Sequence, residues 1–165
     1  ARPTVLDADA LTALSGDKVL MGRLHGACVL TPHEGEFRRL FPDIAQKLHQ
    51  DTSQDVDQAR LEAVRTAAAR AGCTVVLKGP MTVIAAPDGG CALHSTTAAA
   101  WLATAGSGDV LAGFITGLLA RGLEMMQSCE TAIWLHGACA RHLGPGLIAE
   151  DLPEALPQVF RGMGV

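Results

Sequence analysis

The chain has 165 residues, a formal net charge of −4 at pH 7, 48% hydrophobic residues and only 18% charged ones. That length supports one core-bearing domain rather than two, and the apolar excess excludes a disordered chain while implying apolar surface covered by a further segment or another subunit. Arginines never gather into a run with interleaved aromatics, which argues against nucleic acid as a partner, and the longest apolar run, Val110 to Ala120, is too short and too interrupted to cross a membrane.

In chain order, no positively charged leader with an apolar centre opens the sequence, so the cytoplasm is the expected compartment. "PTVLDADALTAL" reads as a short buried strand, Thr4 to Leu6, closing on Asp7 and Asp9 and running into a helix that Gly16 can stop. "ACVLT", Ala27 to Thr31, is a second buried strand. "PHEGEFRRLF" then places Pro32 at a turn or first helical position with acids in the first turn. "SQDVDQARLEAVRTAAARAG" predicts a long helix with Val56, Ala59, Ala63, Val64, Ala67 and Ala71 inside, Arg60, Glu62, Arg65 and Arg70 outside, and Gly72 as its stop.

"TVVLKG", Thr74 to Gly79, is a third strand, and "TVIAAPDGGCAL" a hairpin about Pro87, Asp88 and Gly89. "HSTTAAAWLATAGSG" is expected to be a loop of about 14 residues, a length that is often functional. Helices follow over Gly108 to Arg121, about Gln127 to His142 and about Glu150 to Phe160. The five cysteines include no CxxC pair and read as reduced, mostly buried thiols; His136, Cys139 and His142 share helical spacing, but ordinary packing is favoured there over a metal site. Strands alternating with helices predict an α/β layered fold with a largely parallel sheet, whose ligands bind beyond the carboxyl ends of the strands.

Four strand or loop ends carry polar groups. "TAGSGDVLAGFITGLLARG" sets Gly106, Ser107, Gly108 and Asp109 before an apolar helix that is expected to be buried. The first-turn amides of a helix suit a phosphate oxygen, and Asp109 could accept a proton from a hydroxyl beside it, or simply favour the helix start; the pattern alone leaves both open. His33 lies just past the second strand, and Lys78 ends the third, where it could neutralise phosphates or be solvated. Asp7 and Asp9 could hold magnesium through water or cap the following helix.

Taken together and in order, "VLDADAL", "LTPHEGEF", "VVLKGPMTVIAAPDG", "TAGSGDVLAGFITGLLARG", "WLHGACA" and "GLIAEDLPEALP" resemble the ADP/ATP-dependent NAD(P)H-hydrate dehydratase family, the ribokinase-like C-terminal domain of YjeF-type proteins. The resemblance covers nearly the whole chain. It implies ADP- or ATP-driven, Mg2+-dependent loss of the hydroxyl at nicotinamide C6 of hydrated NADH and NADPH. It also implies that His33 contacts the hydrated nucleotide, that Lys78, Gly79, Pro80, Met81 and Thr82 bind the adenine nucleotide with Gly108, that the amides from Gly106 through Ser107 to Asp109 hold the transferring phosphate, and that Asp109 is the base at the substrate hydroxyl.

Three departures from the family pattern stand out. Ala98, Ala99 and Ala100 replace a Gly-Asn-Pro, with Trp101 after them expected against a nucleotide, and Ser107 replaces a common threonine. Family catalytic units are longer, so residues 1–165 are expected to form a single partial ribokinase-like domain lacking its glycine-rich N-terminal portion and the epimerase domain often fused upstream. The expected consequences are impaired substrate binding and a sheet edge that favours homo-oligomers. A small-molecule kinase of the same superfamily, acting on a sugar or vitamin precursor, and a catalytically silent nucleotide-binding module are the competing readings.

Overall fold

The computed structural model describes residues 1–50, 55–95, 98 and 100–164. The chain forms two compact units, residues 1–93 and 94–165.

The first unit is built on β1 (Thr4–Leu6), β2 (Cys28–Leu30), β3 (Thr74–Leu77), β4 (Met81–Ala85) and the start of β5 (Cys91–Ser95), in the spatial order β1-β2-β3-β4-β5. The first three strands are parallel, with Val5 opposite Val29 and Leu30 opposite Val75; β4 then runs antiparallel to β3, with Val83 opposite Leu77. The sheet is therefore parallel where helices intervene and antiparallel where Lys78 to Pro80 join two strands directly. Every residue of β2 and β3 is buried, as expected of central parallel strands, whereas the edge strand β1 is only half-buried.

Five helices complete this unit: α1 (Asp9–Gly16), α2 (Lys18–Met21), α3 (Glu34–Leu40), α4 (Pro42–Gln50) and α5 (Val56–Ala71). Their apolar faces meet in a core of Leu11, Leu30, Phe37, Phe41, Val64 and Val75, with Phe37 and Phe41 stacked at a tilt, ring centroids 5.3 Å apart. The Ser53 and Gln54 start expected for α5 lies outside the described residues. Asp55 caps this helix, accepting from the Gln58 amide. Val56, expected on the inner face, is exposed because the first helical turn projects past the core; Ala63, Val64, Ala67, Ala68 and Ala71 are the residues it buries.

The second unit holds α6 (Ser107–Ala120), α7 (Met125–Leu143) and α8 (Asp151–Gly162) around a small core of Ala98, Cys139, Ala140, Leu147, Leu152 and Ala155. Trp101, half-buried, packs on this core together with Leu102, Val110 and Phe114. The long loop is shorter than expected, since His94 and Ser95 continue β5 and the Ala98 carbonyl accepts from the Trp101 and Leu102 amides in a turn; Thr96, Thr97 and Ala99 lie outside the described residues. The expectation of a buried α6 fails in part. Ser107, Leu111, Ile115 and Leu119 form one buried stripe four residues apart, while Gly113, Thr116, Gly117 and Ala120 are exposed. No described helix is long and apolar enough to cross a membrane.

Candidate functional site

Parallel pairing aligns the carboxyl ends of β1, β2 and β3, and the residues that follow them converge. The Lys78 Nζ stands 2.9 Å from Asp7 Oδ1, with the two side chains 19% and 12% exposed, and the Lys78 amide donates to the Pro32 carbonyl at 2.8 Å. Three chain segments far apart in sequence thus meet at Lys78. Asp7 is engaged by an ammonium, and Asp9 sits exposed in the first turn of α1. Between them Ala8 adopts φ 48°, a conformation that non-glycine residues avoid at a cost of about 1–3 kcal/mol.

His33 is the N-cap of α3. Its Nδ1 accepts from the amides of Gly35 (2.9 Å) and Glu36 (3.3 Å), and the Glu36 carboxylate accepts from the His33 amide at 2.7 Å. This is a reciprocal capping box with histidine in place of the usual hydroxyl residue. The tautomer follows: the amides occupy Nδ1 as acceptor, so the proton of the neutral ring lies on Nε2, on a side chain 57% exposed. Glu36 itself is buried. Sequence reasoning read it only as a first-turn acid, although the three-residue spacing to His33 is the capping-box signature.

Beyond Lys78 the chain turns tightly. Thr82 donates from Oγ1 to the Gly79 carbonyl at 3.1 Å, Pro80 is exposed, and Met81 opens β4. Arg60, expected on the outside of α5, instead reaches this turn and donates from Nη2 to the Lys78 carbonyl at 3.3 Å. Its position is four residues before buried Val64, so its stem follows the buried stripe. Burial lowers the guanidinium pKa, and the charges of Glu34 and then Asp57 offset this.

In the second unit Gly106 is the N-cap of α6 at φ 82°, a conformation natural to glycine, and a Cβ there would stand 3.2 Å from the Ala149 methyl. As a glycine, this N-cap has no side chain with which to cap the helix start. The Ser107 amide donates to the Thr104 carbonyl at 3.3 Å, so the amides of Gly108 and Asp109 are the first-turn donors that an anion would meet directly, with the positive end of the helix dipole behind them. Ser107 is buried, Gly108 half-buried and Asp109 exposed. Gly106 to Asp109 thus form one cluster, and Asp7, His33, Lys78, Gly79 and Thr82 another, in the first unit. Cys28, Cys73, Cys129 and Cys139 are buried and Cys91 exposed, all as free thiols. His136 and Cys139 are buried but His142 is exposed, and no three His, Cys, Asp or Glu groups among the described residues are placed to hold a metal.

The Carb_kinase family model, described as NAD(P)H-hydrate dehydratase, matches residues 1–157. The chain belongs to the NAD(P)H-hydrate dehydratase family. A bifunctional NAD(P)H-hydrate repair enzyme of Moorella thermoacetica is 41% identical over 166 residues, covering 98% of this chain and 30% of that protein. The ADP-dependent (S)-NAD(P)H-hydrate dehydratase of Neisseria meningitidis serogroup B is 39% identical, covering 93% of this chain and 52% of that protein. The Bacillus subtilis ADP/ATP-dependent NAD(P)H-hydrate dehydratase co-crystallised with ATP/Mg2+ superposes with a TM-score of 0.74 at 34% identity, over 95% of this chain and 53% of that one. The α/β fold is accordingly ribokinase-like, and the chain spans about half or less of the length of these dehydratase-family relatives.

Proposed function

We propose that this chain is the nucleotide-binding part of an enzyme that uses ADP, or ATP, to dehydrate NAD(P)H hydrate back to NAD(P)H. Lys78 carries the reading: its ammonium is fixed by Asp7 at the carboxyl end of β3, the place where α/β sheets bind ligands, and is followed at once by a turn containing Gly79. Lys78 to Thr82 would receive the phosphates of the adenine nucleotide. With Asp7 accepting one of the three ammonium protons, two remain for phosphate oxygens.

The backbone amides from Gly106 to Asp109 would hold the phosphoryl group in transfer, the Ser107 amide exchanging its bond to the Thr104 carbonyl for a phosphate oxygen, and Asp109 would take the proton of the C6 hydroxyl as that oxygen is phosphorylated. Loss of the phosphate, with a proton from C5, restores the ring double bond; one ADP becomes AMP and phosphate for each NADH regained. His33, a half-exposed side chain whose Nε2 stands 3.6 Å from Glu36 Oε1, would donate to the hydrated nicotinamide nucleotide. Magnesium would enter with the nucleotide, held mainly by phosphates and water, since the described residues supply no cage of three ligands. A cytoplasmic location and self-association through the half-buried edge strand β1 belong to the same proposal.

The test is an assay of the longest natural form of the protein with hydrated NADH, ADP and magnesium, following the absorbance of the reduced nicotinamide. Recovery that requires ADP supports the proposal. ADP binding without recovery would point to a silent nucleotide-binding module.

A further inference from the structure

The Lys78 turn is held from beneath by a residue that no helical pattern assigned to it. Arg60 Nη2 donates to the Lys78 carbonyl at 3.3 Å, and the Nε of the same side chain is buried without a hydrogen-bond partner among the described residues. Gly79 makes the approach possible, because a Cβ at that position would stand 2.9 Å from Nη2.

The Lys78 carbonyl and the Gly79 amide belong to one planar trans peptide, so a group that fixes the carbonyl aims the amide in the opposite direction. A peptide that precedes glycine otherwise rotates at little cost, because glycine accepts both signs of φ. Two further anchors, the Lys78 amide on Pro32 and the ammonium on Asp7, fix the residue but not the peptide that follows it. We infer that Arg60 is a positioning residue for nucleotide binding: through the Lys78 carbonyl it sets the direction in which the Gly79 amide meets a phosphate of the adenine nucleotide. This rests on the reading of Lys78 to Thr82 as the nucleotide loop.

The experiment measures the Kd for ADP by calorimetry, in the longest natural form, for Arg60→Met, Arg60→Lys, Gly79→Ala, the double variant Arg60→Met/Gly79→Ala, and Lys78→Ala. Arg60→Met is expected to weaken ADP binding about tenfold, the loss of one oriented hydrogen bond to a charged partner, and to raise KM for ADP with kcat within about twofold. Gly79→Ala should do much the same by pushing the guanidinium off the carbonyl, and the double variant should be no weaker than either single one. Arg60→Lys, which keeps a donor, should return to within about threefold of the parent. If Arg60→Met does not fold, Gly79→Ala and Arg60→Lys decide the matter by the same criteria. Unchanged binding in Arg60→Met or Gly79→Ala while Lys78→Ala weakens it, or strictly additive losses in the double variant, overturns the role of Arg60 and leaves the loop reading standing. Unchanged binding in Lys78→Ala overturns the loop reading and this inference with it.

Discussion

Replacing Asp7 with asparagine removes the charge opposite Lys78 while keeping the shape of the side chain. At 2.9 Å two unit charges attract by about 6 kcal/mol when the effective dielectric constant is near 20. Withdrawing each ion from water costs several kcal/mol when burial is complete, and these side chains retain 19% and 12% of their exposure, so the intact pair contributes far less than the gross figure. Breaking it is different, because the ammonium stays largely enclosed without a counter-charge. Asp7→Asn is expected to cost about 2–3 kcal/mol, below the range for fully buried pairs. Lys78→Met on the same background should recover most of that loss, because the methionine stem fills the space without needing a charge. Urea unfolding of the parent, both single variants and the double variant supplies the cycle. A loss under about 0.5 kcal/mol in Asp7→Asn, or additive losses in the double variant, would refute the argument that this pair is an enclosed, coupled unit.

Asp109→Asn should leave ADP affinity within a few-fold and lower kcat by about 100-fold or more, measured by NADH recovery at saturating ADP; unchanged turnover would remove Asp109 as the base. The paired hydrogen bonds from Arg70 hold the Asp43 carboxyl at about 2, below its ordinary 3.8. A depressed carboxylate stabilises the fold above its unfolded pKa, and the effect fades as pH falls through the folded value. Asp43→Asn should therefore be less stable than the parent above pH 4, with the gap closing between pH 4 and 2. Burial pushes the thiols of Cys73 and Cys129 up to about 12 and Cys139 to about 11. Iodoacetamide at pH 8 should label native protein first at exposed Cys91, with all five thiols reacting only in denaturant; rapid native labelling at Cys129 would contradict the burial.

The strands were legible because their signal is local. Apolar runs of three to five residues ending in Asp7, Thr31 or Lys78 have few other structural solutions in an α/β chain, and Gly72 and Gly106 mark helix ends for the same steric reason. The alignment of Asp7, Pro32 and Lys78 follows from parallel pairing and was legible to the extent that the strands were. The direction of individual side chains was not. A helical wheel places Arg60 beside Val64 but ranks arginine as solvent-facing; only the sheet packed against α5 gives its head a carbonyl to reach. Val56 fails in reverse: an apolar residue on the right stripe stays exposed because the core ends before the helix does. The outer face of α6, rich in glycine and alanine, has a composition that cannot distinguish a buried helix from one buried along a single stripe. The antiparallel β3–β4 turn was also hidden, since Lys-Gly-Pro-Met reads equally as a loop after one strand or a bend between two.

The measurement that bears most directly on the central claim is the product balance of the reaction in the longest natural form, with ADP, magnesium and hydrated NADH, resolved by chromatography. NADH, AMP and phosphate are expected in equal amounts, with none formed when ADP is withheld. Consumption of ADP with a stable phosphorylated product and no NADH would contradict that claim and assign the same residues to a kinase.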